Sequence, residues 1–221
     1  MCTKMKSIII PFADISSYLV VPFDIAIKER HLKRRLAYST ISNLSYILFG
    51  VTIMTPLGLV GALCHLVFHA FMKICSFFCA GAVIYKTEKN YVYELDGLGR
   101  KMPKIFGIFT IAAFALMGVP GLCGFISKFN LAKAAVESEN TLAYVGIGAL
   151  LISAFLTAIY MFSIIMRVFY PPVDFDYDSI KDAEDPNWMM LLPLFVFVIV
   201  IVGLGLFSEP LVHMFEQIAM V

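Results

Sequence analysis

Three titratable residues recur at a spacing of four within one strongly apolar stretch, Leu57–Tyr85. They are His65, His69 and Lys73. Residues four apart lie on the same face of an α-helix, so these side chains form one polar stripe about 12 Å long. The rest of the stretch is mainly Leu, Val, Phe, Ala, Cys and Ile, and a charged stripe of this kind is tolerated only in a protein interior or a hydrated cavity. The spacing therefore indicates a functional group of residues.

Two chemistries fit this stripe. Histidine exchanges a proton near neutral pH, and a lysine taken out of water can also be neutralised, so a proton could pass along the stripe through bridging water. Alternatively, histidines four residues apart can bind one metal ion or a haem. The clear apolar stretches contain no acidic residue to complete such a site, and Lys73 would place a positive charge beside it. We expect no metal and no cofactor, while a purely packing role for the three residues remains an alternative.

A second apolar stretch, Ile105–Ala135, is interrupted by residues that break helices. These are Gly118, Pro120, Gly121 and Gly124. Proline lacks an N–H and clashes with the preceding turn, while glycine permits unusual backbone angles. Lys128 follows one helical turn after the break. Non-helical backbone at membrane depth persists only where protein or water satisfies it, so the sequence predicts a cavity here. A hairpin of two separate spans is the alternative.

The elements that hold these residues are predicted to be membrane helices. Of the 221 residues, 60% are hydrophobic and only 15% are charged, against about 25% charged residues in soluble domains. Lys and Arg number 17, and Asp and Glu number 16, so the net charge gives no indication of nucleic-acid binding. A spanning helix needs about 20 apolar residues. Five segments fit: Leu36–Met54, Leu57–Tyr85, Ile105–Ala135 with its interruption, Leu142–Phe169 and Met189–Phe207. A sixth candidate, Ser7–Ile27, contains two prolines and two aspartates.

Basic residues in the loops predict the orientation of these helices. With six spans, twelve Lys and Arg side chains lie in the loops 28–35, 86–104 and 167–187, and three lie on the other side. Short cytoplasmic loops carry the excess of basic residues. We therefore expect a multi-pass protein of the cell (inner) membrane, with the basic loops in the cytoplasm and both termini outside.

Four sequence motifs together resemble one protein family. They occur in the family's order and spacing, at His31–Tyr46, His65–Lys73, Gly97–Pro103 and Gly118–Lys128. The family comprises the proton-translocating, antiporter-like membrane subunits of respiratory complex I (NADH-quinone oxidoreductase), Mrp-type sodium/proton antiporters and membrane-bound hydrogenases. Its members contain two inverted repeats of five helices, each with one broken helix. The chain resembles the second repeat with a closing helix.

The resemblance implies an all-α membrane bundle with one discontinuous helix and a proton relay. By matching positions, the relay comprises Lys33 at the first motif, then His65, His69 and Lys73, and finally Lys128 on the broken helix. It implies partner membrane subunits, including a chain that supplies the first repeat, with electrons handled elsewhere. The implied function is ion translocation, most simply of protons, and the competing hypothesis is a non-conducting structural subunit or fragment.

The resemblance also divides the chain. Residues 28–170 form the antiporter-like repeat, residues 171–186 an acidic cytoplasmic loop, and residues 187–221 the final transmembrane helix and tail. Residues 1–27 are an atypical segment and a candidate partial span, because prolines and aspartates replace the smooth span of the family. His31 also stands where an acidic residue commonly precedes the first motif.

Overall fold

The computed structural model of the chain describes residues 25–220, and regular structure in this range is helical. The α-helices are α1 (Leu32–Thr52), α2 (Pro56–Thr87), α3 (Leu98–Lys101), α4 (Pro103–Met117), α5 (Cys123–Glu137), α6 (Thr141–Phe169), α7 (Trp188–Leu206) and α8 (Glu209–Ala219). Two short 3₁₀ turns, Val92–Leu95 and Tyr177–Ile180, lie in the loops. Within residues 25–220 there is no β-strand. The prediction of an all-α bundle is confirmed.

The longest helix, α2, lies at the centre of the bundle. It begins where the Thr55 hydroxyl accepts a hydrogen bond from the Gly58 N–H, with Pro56 in the first turn, and it ends at Glu88 in a left-handed conformation. Such caps satisfy backbone groups that have no partner inside the helix. Helices α1, α4, α5, α7 and α8 all pack against α2. The helix that carries the predicted stripe is therefore the one around which these five helices pack.

The predicted interruption separates α4 from α5. Gly118 (φ 93°) ends α4, and Gly121 (φ 90°) lies in the five-residue connection that follows. These φ angles favour glycine because a Cβ atom would be strained there. At Gly124 a Cβ atom would collide with the Ala115 carbonyl oxygen, so glycine also permits the close approach of the two helices. Each helix has 15 residues and is about 22 Å long, less than the ~30 Å hydrocarbon thickness, so neither spans it alone.

The helices agree with the predicted spans to within a few residues. Three of those that the structure describes are long and apolar enough to cross a membrane on their own, namely α2, α6 and α7. Helix α1 begins four residues before the predicted segment Leu36–Met54 and ends two residues before that segment does. It has a polar face and is not one of the three helices that are apolar enough to span a membrane. The sixth candidate, Ser7–Ile27, lies outside the described residues except for its last three.

Two segments expected to be simple loop and tail have structural roles. In the acidic loop, the Asp185 carboxylate accepts hydrogen bonds from the backbone N–H groups of Lys104 (3.3 Å) and Ile105 (3.2 Å), at the N-terminus of α4. A carboxylate is favourable there because it pairs with free N–H groups and the positive end of the helix dipole. In the tail, α8 packs against α2 and buries Phe215.

The outer surface of the bundle is apolar and its centre is polar. Large side chains such as Leu151, Phe155 and Ile199 are 62–70% exposed, whereas His65, His69 and Lys73 are at most 5% exposed. Water favours the opposite arrangement, and a lipid solvent favours this one.

Candidate functional site

The three residues of the predicted stripe lie together on one buried face of α2. Because this face looks towards α1 and α5, the stripe is covered by protein rather than lipid. The His65 and His69 rings are stacked, with 5.7 Å between their centroids. In the described part of the chain no hydrogen bond joins the two rings, so proton transfer between them requires an intervening group.

Lys73, at one end of the stripe, is held by α1. Its ammonium group donates hydrogen bonds to the Leu36 carbonyl (3.0 Å) and to the Ser39 hydroxyl. Both acceptors are neutral, and no carboxylate of residues 25–220 forms an ion pair with Lys73. A buried ammonium group is costly unless it is hydrogen-bonded, so α1 provides the contacts that allow Lys73 to lie at this depth.

His65, at the other end, is held by α5. Its Nδ1 atom lies 3.0 Å from the hydroxyl of Ser127, the residue before Lys128. The ring of Tyr46 on α1 packs edge-on against His65, with 5.0 Å between centroids. His69 lies between His65 and Lys73, and in the described part of the chain neither of its ring nitrogens has a hydrogen-bond partner. A buried imidazole without a partner is costly, so this position favours hydration.

Lys128 lies at the helix break and holds the end of α4. Its ammonium group donates hydrogen bonds to the carbonyl oxygens of Leu116 (2.8 Å) and Met117 (3.0 Å). These carbonyls lack partners in the last turn and lie at the negative end of the helix dipole, which favours a cation. The ammonium also lies 5.6 Å from the centre of the Tyr46 ring. A Cβ atom at Gly118 would come within 3.2 Å of the Lys128 side chain, so glycine leaves room for it.

The polar row continues beyond Lys73 towards the start of α1. The side chain of Tyr160 on α6 lies close to Ser39. Close by, the buried guanidinium of Arg35 donates to the Ser163 hydroxyl (3.1 Å) and to the backbone carbonyls of Ile27 (2.7 Å) and Glu29 (3.0 Å). Buried polar groups thus extend from the helix break, along α2, to the beginning of α1.

Lys33, the fifth predicted relay residue, is exposed on the first turn of α1, away from this row. The buried basic residue of that turn is Arg35. Two residues along a helix correspond to a rotation of about 200°, so Lys33 and Arg35 lie on opposite faces. A relay role for Lys33 stays a prediction.

Sequence reasoning missed the contribution of α1 and α6. Arg35, Ser39, Ser42 and Tyr46 recur at spacings of three and four along the inner face of α1, and all are buried. The same signal, polar residues at helical spacing within an apolar segment, identified the stripe on α2. On α1 this signal is weaker, because serine is common in membrane helices, whereas aligned lysine and histidine residues are rare there.

The arrangement brings together groups that can exchange protons. Four groups that can gain and lose a proton follow one another in space along one buried row, in the order Lys128, His65, His69 and Lys73. The charges of both lysines act on His69. Among residues 25–220 there is no group of three His, Cys, Asp or Glu side chains that could hold a metal ion.

Sequence comparison identifies a family that includes most of the chain. Residues 4–157 match the family described as NADH:quinone oxidoreductase/Mrp antiporter, TM. The match begins within residues 1–27, the segment in which prolines and aspartates interrupt the expected span. Subunit N of the NADH-quinone oxidoreductase of Desulforudis audaxviator is 33% identical over 204 residues, which are 88% of this chain and 40% of that protein. NAD(P)H-quinone oxidoreductase chain 4 1 of Trichormus variabilis is 28% identical over 85% of this chain and 36% of that protein.

Solved structures show the same fold. A chain of the Mrp complex from a Dietzia species superposes with a TM-score of 0.84, 21% identity and coverage of 96% of this chain and 46% of the other. A chain of an archaeal membrane-bound sulfane sulfur reductase superposes with a TM-score of 0.86 and 22% identity, and the match covers 98% of this chain and 42% of the other. A chain of respiratory complex I from Thermus thermophilus superposes with a TM-score of 0.72 and 20% identity, and the match covers 93% of this chain and 43% of the other.

The chain spans less than half the length of each of these relatives. Over that length, the sequence match and the shared fold confirm the family resemblance that the four motifs indicate. The chain belongs to the NADH:quinone oxidoreductase/Mrp antiporter family of transmembrane proteins.

Proposed function

We propose that the chain is an ion-translocating part of a multisubunit membrane complex, equivalent to the carboxyl-terminal half of an antiporter-like subunit, and that the ion is the proton. The observation that supports this most strongly is the buried row of Lys128, His65, His69 and Lys73 beside a helix break. Ordinary packing does not require four aligned titratable groups in an apolar bundle, because each is costly to bury.

The proton would move along this row by exchange with bridging water. Because no direct hydrogen bond joins the two histidine rings, bridging water would carry the proton between them. Lys128 would accept a proton arriving from His65, whose ring contacts the neighbouring Ser127. Losing or gaining that proton changes how strongly Lys128 holds the last carbonyls of α4. A charge change in an adjoining subunit would drive transport by favouring one of these protonation states.

The composition of the row supports protons over sodium ions. Sodium and other hard cations bind to clusters of oxygen ligands, especially carboxylates. The four titratable groups here carry nitrogen atoms, and no carboxylate within the described range forms an ion pair with either lysine. Whenever one of the lysines is protonated, its positive charge would also repel a metal cation.

The partners would be other membrane subunits, and one of them would supply the first repeat. The relatives named above belong to NADH-quinone oxidoreductases and to Mrp and sulfane sulfur reductase complexes. Redox chemistry, where such a complex performs it, would take place in other subunits. This chain would contribute the ion path and no cofactor.

The location would be the cell (inner) membrane, with the basic loops in the cytoplasm. The labelling experiment uses a variant in which Cys2 is replaced by serine, because the four other cysteines are buried. A membrane-impermeant thiol reagent applied from outside is expected to label Glu137→Cys, which lies before the loop joining α5 and α6, and not Lys101→Cys. Both native side chains are exposed. Labelling of Lys101→Cys alone would reverse the orientation.

His69→Gln tests the proposed function directly. Glutamine preserves volume and hydrogen bonding but does not exchange a proton, so ion uptake into vesicles by the reconstituted complex is expected to fall about 100-fold, as when a positioned proton-transfer group is lost. Assembly, followed on native gels, is expected to be unchanged. The matched control is His213→Gln on α8, whose native ring is exposed and paired with Glu216. Normal uptake by the His69 variant would contradict the relay and favour a non-conducting structural role.

A further inference from the structure

Three arginines surround a cavity at the end of the bundle where α1 begins and α6 ends. The cavity has a volume of about 290 Å³ and is lined by Arg30, Arg35, Val92, Tyr93 and Arg167. A water molecule occupies about 30 Å³, so this space accommodates a group much larger than one water.

The walls of this cavity are fixed by backbone hydrogen bonds between distant segments. The N–H of Val92 donates to the Arg30 carbonyl (2.9 Å), and the N–H of Gly97 donates to the Arg167 carbonyl (3.1 Å). The loop that carries Tyr93 is therefore attached both to the start of α1 and to the end of α6. The fold therefore fixes the backbone of Arg30 and Arg167 beside the cavity.

The positive charge around the cavity is poorly neutralised. Arg35 is only 8% exposed and donates to a hydroxyl and two backbone carbonyls, all of which are uncharged. The carboxylate of Glu29 accepts from the backbone N–H of His31 at 3.0 Å, and it acts on Arg35 only through its charge. Both oxygens of the Asp96 carboxylate lie 3.4 Å from Arg167, a long distance for a hydrogen bond, and the charge of Arg167 acts on Arg35. Charges of the same sign therefore face each other across the cavity, which favours an anion between them.

The residues around the cavity are of the kinds typical of the depth of lipid headgroups. Tyr91 and Tyr93 stack with 5.4 Å between their ring centroids, and their side chains are 41% and 50% exposed. Tyrosine is enriched where a membrane meets water, because its ring is apolar and its hydroxyl is polar. Apolar α6 extends from Arg167 into the bundle on one side, and the polar loops lie on the other.

We propose that this three-arginine cavity binds a phosphate group, supplied by the headgroup of an anionic phospholipid. Guanidinium groups bind phosphate oxygens through pairs of parallel N–H donors, and the planar fork of Arg35 is already fixed by its protein contacts. Basic pockets between helices at a membrane surface are suited to such headgroups. The site lies at the end of the polar row, and Arg35 belongs to both, but the lipid-binding proposal does not depend on ion transport.

Titration of the full purified chain with phosphatidylglycerol in neutral detergent, followed by native mass spectrometry, tests this site. Phosphatidylcholine and inorganic phosphate serve as separate probes. Arg35→Gln and Arg167→Gln are each expected to weaken phosphatidylglycerol binding about fivefold or more, as expected for one basic residue at an anionic membrane surface. Arg34→Gln, which removes an equal charge from the exposed neighbouring position, is expected to change it less than twofold.

A fourth variant is expected to strengthen lipid binding, whereas a general loss of folding would weaken it. Asp96→Asn removes the carboxylate that competes for Arg167, so phosphatidylglycerol binding is expected to strengthen about fivefold. Equal weakening by Arg34→Gln and Arg167→Gln, or weaker binding by Asp96→Asn, would overturn the proposal. Displacement of the lipid by equimolar inorganic phosphate would overturn the lipid source. Loss of the bound lipid when the chain assembles with its partners would assign the cavity to a partner's acidic side chain and overturn the lipid site.

Discussion

Replacement of Lys128 by alanine is expected to reduce ion uptake by the reconstituted complex to the leak rate of empty vesicles. Lys128 is the titratable group at the helix break, and its ammonium group holds the Leu116 and Met117 carbonyls at the end of α4. Alanine removes both the exchangeable proton and these two contacts. The backbone of the break should persist, because glycine adopts the left-handed conformations of Gly118 and Gly121 without strain.

Lys128→Arg separates the two roles of this side chain. Arginine keeps the positive charge and the donors for the α4 carbonyls, but it does not release a proton in proteins. The arginine variant is therefore expected to assemble normally and to transport no more than the alanine variant. Lys133→Ala is the matched control on α5, since its side chain is half exposed and paired with Glu137 across 3.7 Å. Transport by Lys128→Arg at the normal rate would show that Lys128 acts through its charge or its contacts alone.

Replacement of Lys73 by methionine is expected to abolish transport and to leave the bundle as stable as before, or more stable. Methionine has a similar shape and carries no charge, so the variant removes the cost of burying an ammonium group. The carbonyl of Leu36 and the hydroxyl of Ser39 lose a donor, but Ser39 donates to the Leu36 carbonyl already, at 2.8 Å. Thermal unfolding of the purified chain measures stability, and ion uptake by the assembled complex measures transport.

The changes in transport and in Tm caused by Lys73→Met distinguish a relay role from a packing role. A relay predicts lost transport with unchanged or higher Tm, whereas a packing role predicts normal transport. Lys73→Arg provides the second comparison, because arginine retains a charge and hydrogen-bond donors without exchanging a proton. Lys86→Met, near the exposed end of the same helix, is the control for loss of one lysine from α2. Normal uptake by Lys73→Met would count decisively against the relay.

Residue spacing alone was sufficient to find the stripe and the break. His65, His69 and Lys73 share a face because the α-helix has 3.6 residues per turn, and this follows from local geometry. The end of α4 follows from glycine and proline chemistry at Gly118 and Pro120, which is also local. Length and hydropathy located the main helices to within a few residues, because a helix in lipid satisfies its own backbone groups.

The tertiary structure decided which groups meet. Lys128 contacts carbonyls 12 and 11 residues earlier in the sequence, Lys73 contacts α1 37 residues earlier, and Arg35 contacts a hydroxyl 128 residues later. No periodicity within one helix encodes these pairs, because they depend on how helices rotate and approach one another. The same rotation buries Arg35 and exposes Lys33, although a motif alone does not distinguish them. The chain thus specified its titratable residues by local pattern, and packing around α2 determined which of them form a continuous buried row.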